Sequence, residues 1–196
     1  MGKRGIVALA AVAVMVTGCS PGSAGEVDAE NEAATTMTRT PRITDDSGRP
    51  PVTFDPCYDI PDDIMTAAGY DAAKKEVADM PMGSYTFLGC AYEGTISTPG
   101  VLARYDLLVM AGNVSLDEEL EKNRDIAATA SINGRPALLE VGPKNVETCR
   151  YVLETDFGIV ILSRLYQKDH PGPVPQSEWC NGFEQTVSAI ETFIQD

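Results

Sequence analysis

The chain has 196 residues with 29 acidic and 15 basic side chains, which give a formal net charge of −14 at neutral pH. A protein with this charge is repelled by phosphate backbones, so the composition argues against nucleic acid as a partner. The length is sufficient for one domain with a substantial hydrophobic core, even after the polar N-terminal part is set aside.

The N-terminus has the layout of a bacterial export signal. Two basic residues precede an apolar run over residues 5–16, which is too short to span a bilayer, since that requires ~20 residues. The sequence Val-Thr-Gly-Cys at positions 16–19 resembles the lipobox of bacterial lipoproteins, whose cysteine receives a diacylglycerol. We therefore predict a signal peptide over residues 1–18, acylation (palmitate) at Cys19 and anchoring on the extracytoplasmic face of the cell membrane. The alternative is an ordinary secretory signal with a chance cysteine.

Residues 19–51 are predicted to be a lipidated N-terminus followed by a flexible tether. The segment is polar and lacks apolar periodicity, so it cannot bury enough surface to offset its ordering entropy. About thirty such residues reach ~30 Å, which lifts a domain clear of the lipid headgroups. Loss of the two basic residues with the signal leaves a charge of about −16, so the lipid rather than charge would hold the protein at the membrane. Residues 52–196 are predicted to form a single domain.

The first half of this domain predicts one short helix and two strands. Pro61, followed by two acids, indicates a helix start, and Gly69 indicates its C-cap. Residues 71–80 are interpreted as a helical turn or a loop. Residues 85–92 and 102–111 are predicted to be strands joined by a hairpin connection.

The middle of the domain carries a helix start and a turn signal. Ser115 opens a capping box, so we expect a helix over residues 116–128. Asn133-Gly134 is a strong turn signal. The strand that follows it, residues 137–141, is short.

The last third predicts a hairpin and a terminal helix. Residues 149–155 and 158–166 form the hairpin, and the second strand is apolar on both faces, as expected of a central strand. Residues 178–194 are predicted to be an amphipathic helix with Cys180 on its apolar stripe. The predicted class is α+β, with an antiparallel sheet of about five strands packed with helices.

Four cysteines beyond Cys19 predict two disulfides, because an even number in an exported chain is typical of a disulfide framework. Three pairings are possible. We favour Cys57–Cys90 and Cys149–Cys180, which close two non-overlapping loops and would each contribute about 3–4 kcal/mol. The competing interpretation, a four-cysteine zinc site, lacks the close spacing that such sites use.

Several short motifs are spread along the chain in addition to the lipobox. They are Phe54-Asp55-Pro56-Cys57, Ala68-Gly69, Cys90-Ala91-Tyr92, Asn133-Gly134-Arg135-Pro136-Ala137, Cys149 and Trp179-Cys180. Together they resemble the DUF3558 family of actinobacterial lipoproteins, many of them from mycobacteria and nocardiae. The family often has tryptophan where Tyr92 stands, a departure that concerns packing. The resemblance implies fold and location but no activity, and the order of elements is also similar to the Mog1/PsbP-like sandwich of other mycobacterial lipoproteins.

No constellation of catalytic or metal-binding residues stands out in the sequence. His170, the one histidine, lies in a proline-rich segment, which is a poor place for the rigid imidazole of a Ser-His-Asp triad. A calcium site is conceivable at the acids of residues 59–63 or 117–121, but EF-hand spacing is absent. Phosphate-loop and dinucleotide fingerprints are also missing. We therefore predict no catalytic residue, no metal and no cofactor.

The leading functional hypothesis is a non-enzymatic, membrane-tethered binding or interaction domain at the cell envelope. Its partner would be another envelope protein or a small apolar ligand held between sheet and helix. Arg135 and Trp179 are the candidate partner contacts; the alternatives are a solvated turn arginine and a tryptophan packed against the disulfide. The competing functions are a hydrolase acting on glycan or lipid, for which the sequence selects no particular carboxylate pair, and a structural surface protein.

Overall fold

The computed structural model describes residues 48–95, 103–142, 147–168 and 175–195. All of them fall within one compact unit, residues 41–196. The predicted signal peptide, Cys19, the tether as far as residue 47, and His170 lie outside the described residues. None of the helices in the described ranges has the length and apolar composition that a membrane crossing requires.

One antiparallel sheet of eight strands forms the centre of the fold. The strands are β1 (Tyr70–Val77), β2 (Met80–Met82), β3 (Tyr85–Gly94), β4 (Ala103–Gly112), β5 (Ala127–Ile132), β6 (Arg135–Val141), β7 (Thr148–Thr155) and β8 (Gly158–Lys168). The helices are α1 (Asp62–Ala67), α2 (Leu116–Lys122), α3 (Gln176–Trp179) and α4 (Phe183–Glu191). The strand order is β1-β3-β4-β8-β7-β6-β5, with β2 paired to β3. The α+β class is confirmed, but the prediction of about five strands was wrong.

The hairpin of β7 and β8 lies where the sequence predicts it. β8 is paired on one side with β4 and on the other with β7, so it is a central strand. Its residues 159–162 are buried on both faces of the sheet. The turn before β6 is also confirmed, because Asn133 and Gly134 both have positive φ angles, 50° and 91°, as a tight two-residue hairpin requires.

Residues 71–80, interpreted from the sequence as a helical turn or loop, instead contribute most of β1 and the start of β2. The strand β1 alternates in burial only at its start and then becomes exposed and charged, because it lies at the edge of the sheet. It pairs with β3 through a register that shifts between Asp71 and Glu76. Pairing with a distant strand therefore creates β1, and no periodicity in its own sequence indicates it.

Two predicted helices are shorter than expected. The helix predicted over residues 116–128 ends at Lys122, and residues 127–132 form the edge strand β5. The predicted terminal helix is interrupted at Gly182, whose φ of 69° is left-handed and separates α3 from α4. Cys180 therefore caps α3 and does not lie on the stripe of a continuous helix.

The two faces of the sheet carry different cores. The face packed by α1, α3 and α4, here called the disulfide face, holds a large cluster that includes all the cysteines of the domain. The opposite face, here called the groove face, holds a smaller cluster against which Leu116 and Leu120 of α2 pack. The buried residues of the groove face are Phe87, Met110, Val114, Leu138, Val152, Ile159 and Ile161.

Both disulfides fasten a non-strand segment to the sheet. Cys57, in the loop before α1, is bonded to Cys90 of β3, with a Cα–Cα distance of 5.1 Å. Cys149 of β7 is bonded to Cys180 at the junction of α3 and α4, at 5.3 Å. The structure therefore has the pairing that the spacing favours.

Arg164 of β8 is a buried cation on the disulfide face, only 6% exposed. Its guanidinium carbon lies 4.4 Å from the centre of the Tyr105 ring and 4.5 Å from that of Phe183. Its Nη1 donates to the carbonyl oxygens of Asn181, at 2.7 Å, and Trp179, at 3.3 Å. Arg164 thus satisfies carbonyl groups at the end of α3 and holds the α3–α4 junction against the sheet.

Candidate functional site

The groove face has an open cleft between β3 and α2. This groove has a volume of about 580 Å³. It is lined by Tyr85, Phe87, Val114, Asp117, Glu118, Glu119, Glu121 and Lys122. Aromatic and aliphatic side chains therefore form one side, and a mostly acidic helix forms the other.

The apolar side of the groove depends on a glycine. Phe87 of β3 is paired with Gly112 of β4, and a Cβ atom at Gly112 would lie 2.3 Å from the phenyl ring. The missing side chain lets the ring lie over the neighbouring strand. Met80 of β2 pairs with Phe87 from the other side and is 40% exposed. Because cross-strand partners share a face, Met80 extends the apolar surface to the edge of the sheet.

Helix α2, which forms the acidic wall of the groove, is fixed at its start by a capping box. The Ser115 hydroxyl accepts from the Glu118 backbone N–H at 3.2 Å, and Glu118 Oε2 accepts from the Ser115 backbone N–H at 2.9 Å. These bonds satisfy donors that the helix start would otherwise leave unpaired. The same turn holds the exposed carboxylates of Asp117 and Glu118 along the groove.

Arg49 lies at the mouth of the groove. Its guanidinium carbon is 4.4 Å from the centre of the Tyr85 ring, and its two terminal nitrogens donate to the Glu118 oxygens at 2.7 and 2.9 Å. Nη1 also donates to the Asn113 carbonyl oxygen at 3.0 Å. The hydrogen bonds from Arg49, and then the bond from the Ser115 backbone, lower the pKa of Glu118 to about 2.

A second pair of carboxylates, Glu119 of α2 and Glu140 of β6, lies beneath the C-terminal end of α2. Their residues are 4% and 1% exposed. The Nδ2 atom of Asn123 donates to both, at 2.6 Å to Glu119 Oε1 and at 3.0 Å to Glu140 Oε1. One amide group therefore joins the end of the helix to the sheet through two acids.

Glu140 is the less well satisfied of these two acids. Within the described ranges its Oε2 atom has no hydrogen-bond partner, and Arg150 Nη1 is 3.8 Å away. Glu119 has Lys122 at 3.4 Å. Burial, and then the charge of Glu119, raise the pKa of Glu140. The two acids are thus linked through the Asn123 amide, and both are buried away from solvent.

The two candidate partner contacts are not displayed at the surface. Trp179 is 3% exposed and belongs to the core cluster of the disulfide face, which also holds Cys149. Arg135 is not a solvated turn residue, since its side chain is only 14% exposed. Its Nε donates to Glu191 at 2.7 Å and its Nη1 to the Glu154 carbonyl oxygen at 2.9 Å. Arg135 therefore joins the β5–β6 hairpin to α4.

The two acidic runs considered for calcium are used by protein groups. Asp59 accepts from the Asp55 backbone N–H at 2.6 Å, and Asp62 pairs with Lys75 at 2.6 Å. In the second run Glu118 is bound by Arg49 and Glu119 by Asn123. Over the described ranges, no group of three or more potential ligands is arranged to hold a metal ion.

Sequence reasoning missed the groove and its residues. One signal was present: Glu140 is an acid within an otherwise apolar strand, Ala-Leu-Leu-Glu-Val, and such a residue is rarely buried unless it is paired. Arg49 gave no signal, because its partners lie 36 to 69 residues away in the sequence.

Comparison with known proteins agrees with the resemblance in the motifs. A family model described as Protein of unknown function (DUF3558) matches residues 14–192. No curated protein and no solved structure matches the chain. Since the family model covers most of the sequence, the chain belongs to the DUF3558 family.

Proposed function

We propose that the protein is a lipid-anchored, extracytoplasmic binding protein of the cell envelope, and that its groove takes a small amphipathic ligand with a cationic head. The observation that carries this proposal is the groove itself, with apolar Phe87 and Val114 on one side and the acids of α2 on the other. Ligand sites are concave, mostly apolar and provided with a few convergent polar groups.

The location rests on the N-terminal motif and the cysteines. The lipobox at Cys19 supports acylation and membrane anchoring, and two disulfides fit an oxidising compartment. The motif resemblance supports an actinobacterial source. One antiparallel sheet with helices on both faces supports a Mog1/PsbP-like sandwich as the wider fold group.

The charge of the ligand follows from the charge of the protein. The chain carries a net charge of −14, and the groove lining has four acids and one lysine, with Arg49 paired to one of those acids. A field of this sign attracts cations and repels anionic headgroups. The apolar side of the groove would take the tail of the ligand, and the acidic wall would select its head.

A titration with three octyl compounds tests the proposal. The mature chain, residues 19–196, would carry Cys19→Ser so that no lipid interferes, and calorimetry would compare octylammonium, octanol and octyl sulfate. We expect octylammonium to bind most tightly, with an affinity that falls at higher salt, since salt screens exposed charges.

Two matched valine substitutions locate the binding. Val114→Lys places a positive charge in the groove and should abolish octylammonium binding, whereas Val77→Lys changes a valine that is 55% exposed on β1 and outside the groove lining. Circular dichroism would check that both variants fold. Tighter binding of octyl sulfate, or equal loss in both variants, would contradict the proposal.

Catalysis is not part of the proposal. A glycan hydrolase would need its two carboxylates to reach the substrate, and the acids that converge here, Glu119 and Glu140, are buried beneath α2. Their arrangement supports a role in holding the helix on the sheet. Hydrolysis of a glycan or lipid substrate that is lost in Glu140→Gln would count against this view.

A further inference from the structure

Three groups from separate parts of the fold converge on the guanidinium of Arg49. The Tyr85 ring lies beneath it, the Glu118 carboxylate pairs with it through two oxygens, and the Asn113 carbonyl oxygen accepts a third bond. A guanidinium differs from an ammonium in being planar and in carrying paired N–H donors. It therefore fits a flat aromatic face, a carboxylate that accepts through both oxygens and a further acceptor for its N–H groups. These three groups are here called the cradle.

The cradle is built independently of Arg49. Glu118 Oε2 is held by the Ser115 backbone N–H at 2.9 Å. Asn113 is 2% exposed, and its Oδ1 atom accepts from the Thr86 backbone N–H at 2.8 Å. Two of the three acceptor groups would therefore keep their positions if the guanidinium left, which is the preorganisation expected of a binding site.

The residue that fills the cradle belongs to a less constrained part of the chain. Residues 48–53 form neither helix nor strand, and Gly48, Pro50 and Pro51 are exposed. The Arg49 side chain itself is 27% exposed. Arg49 belongs to neither core cluster, so withdrawal of its side chain leaves both clusters in place.

The cradle is continuous with the groove, because Tyr85 and Glu118 belong to both. We propose that the cradle is the head-group subsite of the groove, that it is specific for a guanidinium, and that Arg49 is its resident occupant, which the head of a ligand displaces. This inference rests on the proposed function, since the tail of the same ligand would lie along Phe87 and Val114. Arg49 then acts as an intramolecular competitor, with an effective concentration on the order of millimolar.

The test measures the binding of octylguanidinium, octylammonium and octanol to the mature chain carrying Cys19→Ser. Arg49→Gln should tighten octylguanidinium binding about threefold to tenfold, because it removes the competitor, and should leave octanol unchanged. Lys74→Gln is the matched control. It removes the same charge from an exposed lysine of β1 that pairs with Asp71 and lies outside the groove lining, and should change the affinity less than twofold.

Glu118→Gln completes the experiment. Glutamine can still form the capping box but lacks the carboxylate that pairs with the guanidinium through two oxygens. Octylguanidinium should therefore bind more weakly than to the wild type, and adding Arg49→Gln should not restore its affinity. An unchanged or weakened affinity in Arg49→Gln, while octanol and octylammonium still bind, would overturn this inference and leave the groove intact. Failure of all three probes to bind any variant would overturn the proposed function and this inference together.

Discussion

The disulfide face and the groove face of the sheet are closed in different ways. On the disulfide face, helices α1 and α4 pack against the large core cluster and two covalent bonds hold the adjoining segments. On the groove face, the helix that packs against the cluster in the described chain is α2, with seven residues and two leucines directed at the sheet. We infer that the disulfide face supplies most of the stability, which leaves the groove face free to form an open site.

The same substitution on each face tests this comparison most strongly. Phe183→Ala on the disulfide face removes a ring that is 0% exposed and should lower the free energy of unfolding by about 3–5 kcal/mol. Phe87→Ala on the groove face removes a ring bordering open solvent, so we expect about 1–3 kcal/mol. Urea unfolding followed by circular dichroism measures both. Equal losses would remove the distinction between the faces.

Removal of a disulfide should have the next largest effect. Cys149→Ser with Cys180→Ser opens a loop of 31 residues and should cost about 3–4 kcal/mol in unfolding free energy. Cys57→Ser with Cys90→Ser, at a separation of 33, is the matched comparison and should give a similar loss. A loss below about 1 kcal/mol in either variant would show that the helices pack on this face without covalent help.

Loss of the helix cap should have a smaller effect that is confined to the groove face. Ser115→Ala removes the hydroxyl that accepts from the Glu118 N–H and should lower the unfolding free energy by about 1 kcal/mol. Ser131→Ala, at an exposed position on β5, is the control and should change little. Hydrogen exchange should show faster opening of α2 in the first variant only; protection lost on the disulfide face as well would contradict a separate response of the two faces.

The smallest effect concerns pH and the pair beneath α2. Burial, and then Glu119, raise the pKa of Glu140 above the value of 4.5 that it has without the fold. A group with a raised folded-state pKa contributes stability that is present below pH 4.5 and lost as the pH rises through the folded value. Glu118, with its lowered pKa, contributes in the opposite sense in both proteins, so we expect Glu140→Gln to gain stability relative to the wild type on going from pH 4 towards neutrality.

Urea titrations at a series of pH values measure this dependence. Glu154→Gln, which changes an exposed glutamate on β7, should leave the pH profile as it is in the wild type. A Glu140→Gln profile as steep as that of the wild type would mean that another group produces the dependence.

The features that the sequence predicts well are those with local causes. The Ser115 capping box starts α2, Asn133-Gly134 makes the β5–β6 turn, and the apolar run of β8 marks a central strand. Each rests on residues close together in the chain. Of the three possible cysteine pairings, the structure has the one favoured because it closes two separate loops.

The features that the sequence does not reveal depend on distant pairing. Strand β1 has little alternation of its own and exists through its pairing with β3. Helix α2 ends early because the residues that follow it form β5, which pairs with β6. The groove is harder still to foresee, because Arg49, Tyr85 and Glu118 are 36 to 69 residues apart where they make contact, and only the folded chain brings them together.

The Cys57–Cys90 bond has a consequence for tension along the chain. A load applied at Gly48 passes along the covalent chain from Cys57 directly to Cys90 of β3. Residues 58–89 therefore lie off the covalent path of the load; they include α1, β1 and Phe87. Arg49 lies on the loaded stretch, ahead of the bond. A pull from the N-terminal side would therefore act on the segment that carries Arg49, while the part of β3 that carries Phe87 stays off the loaded path.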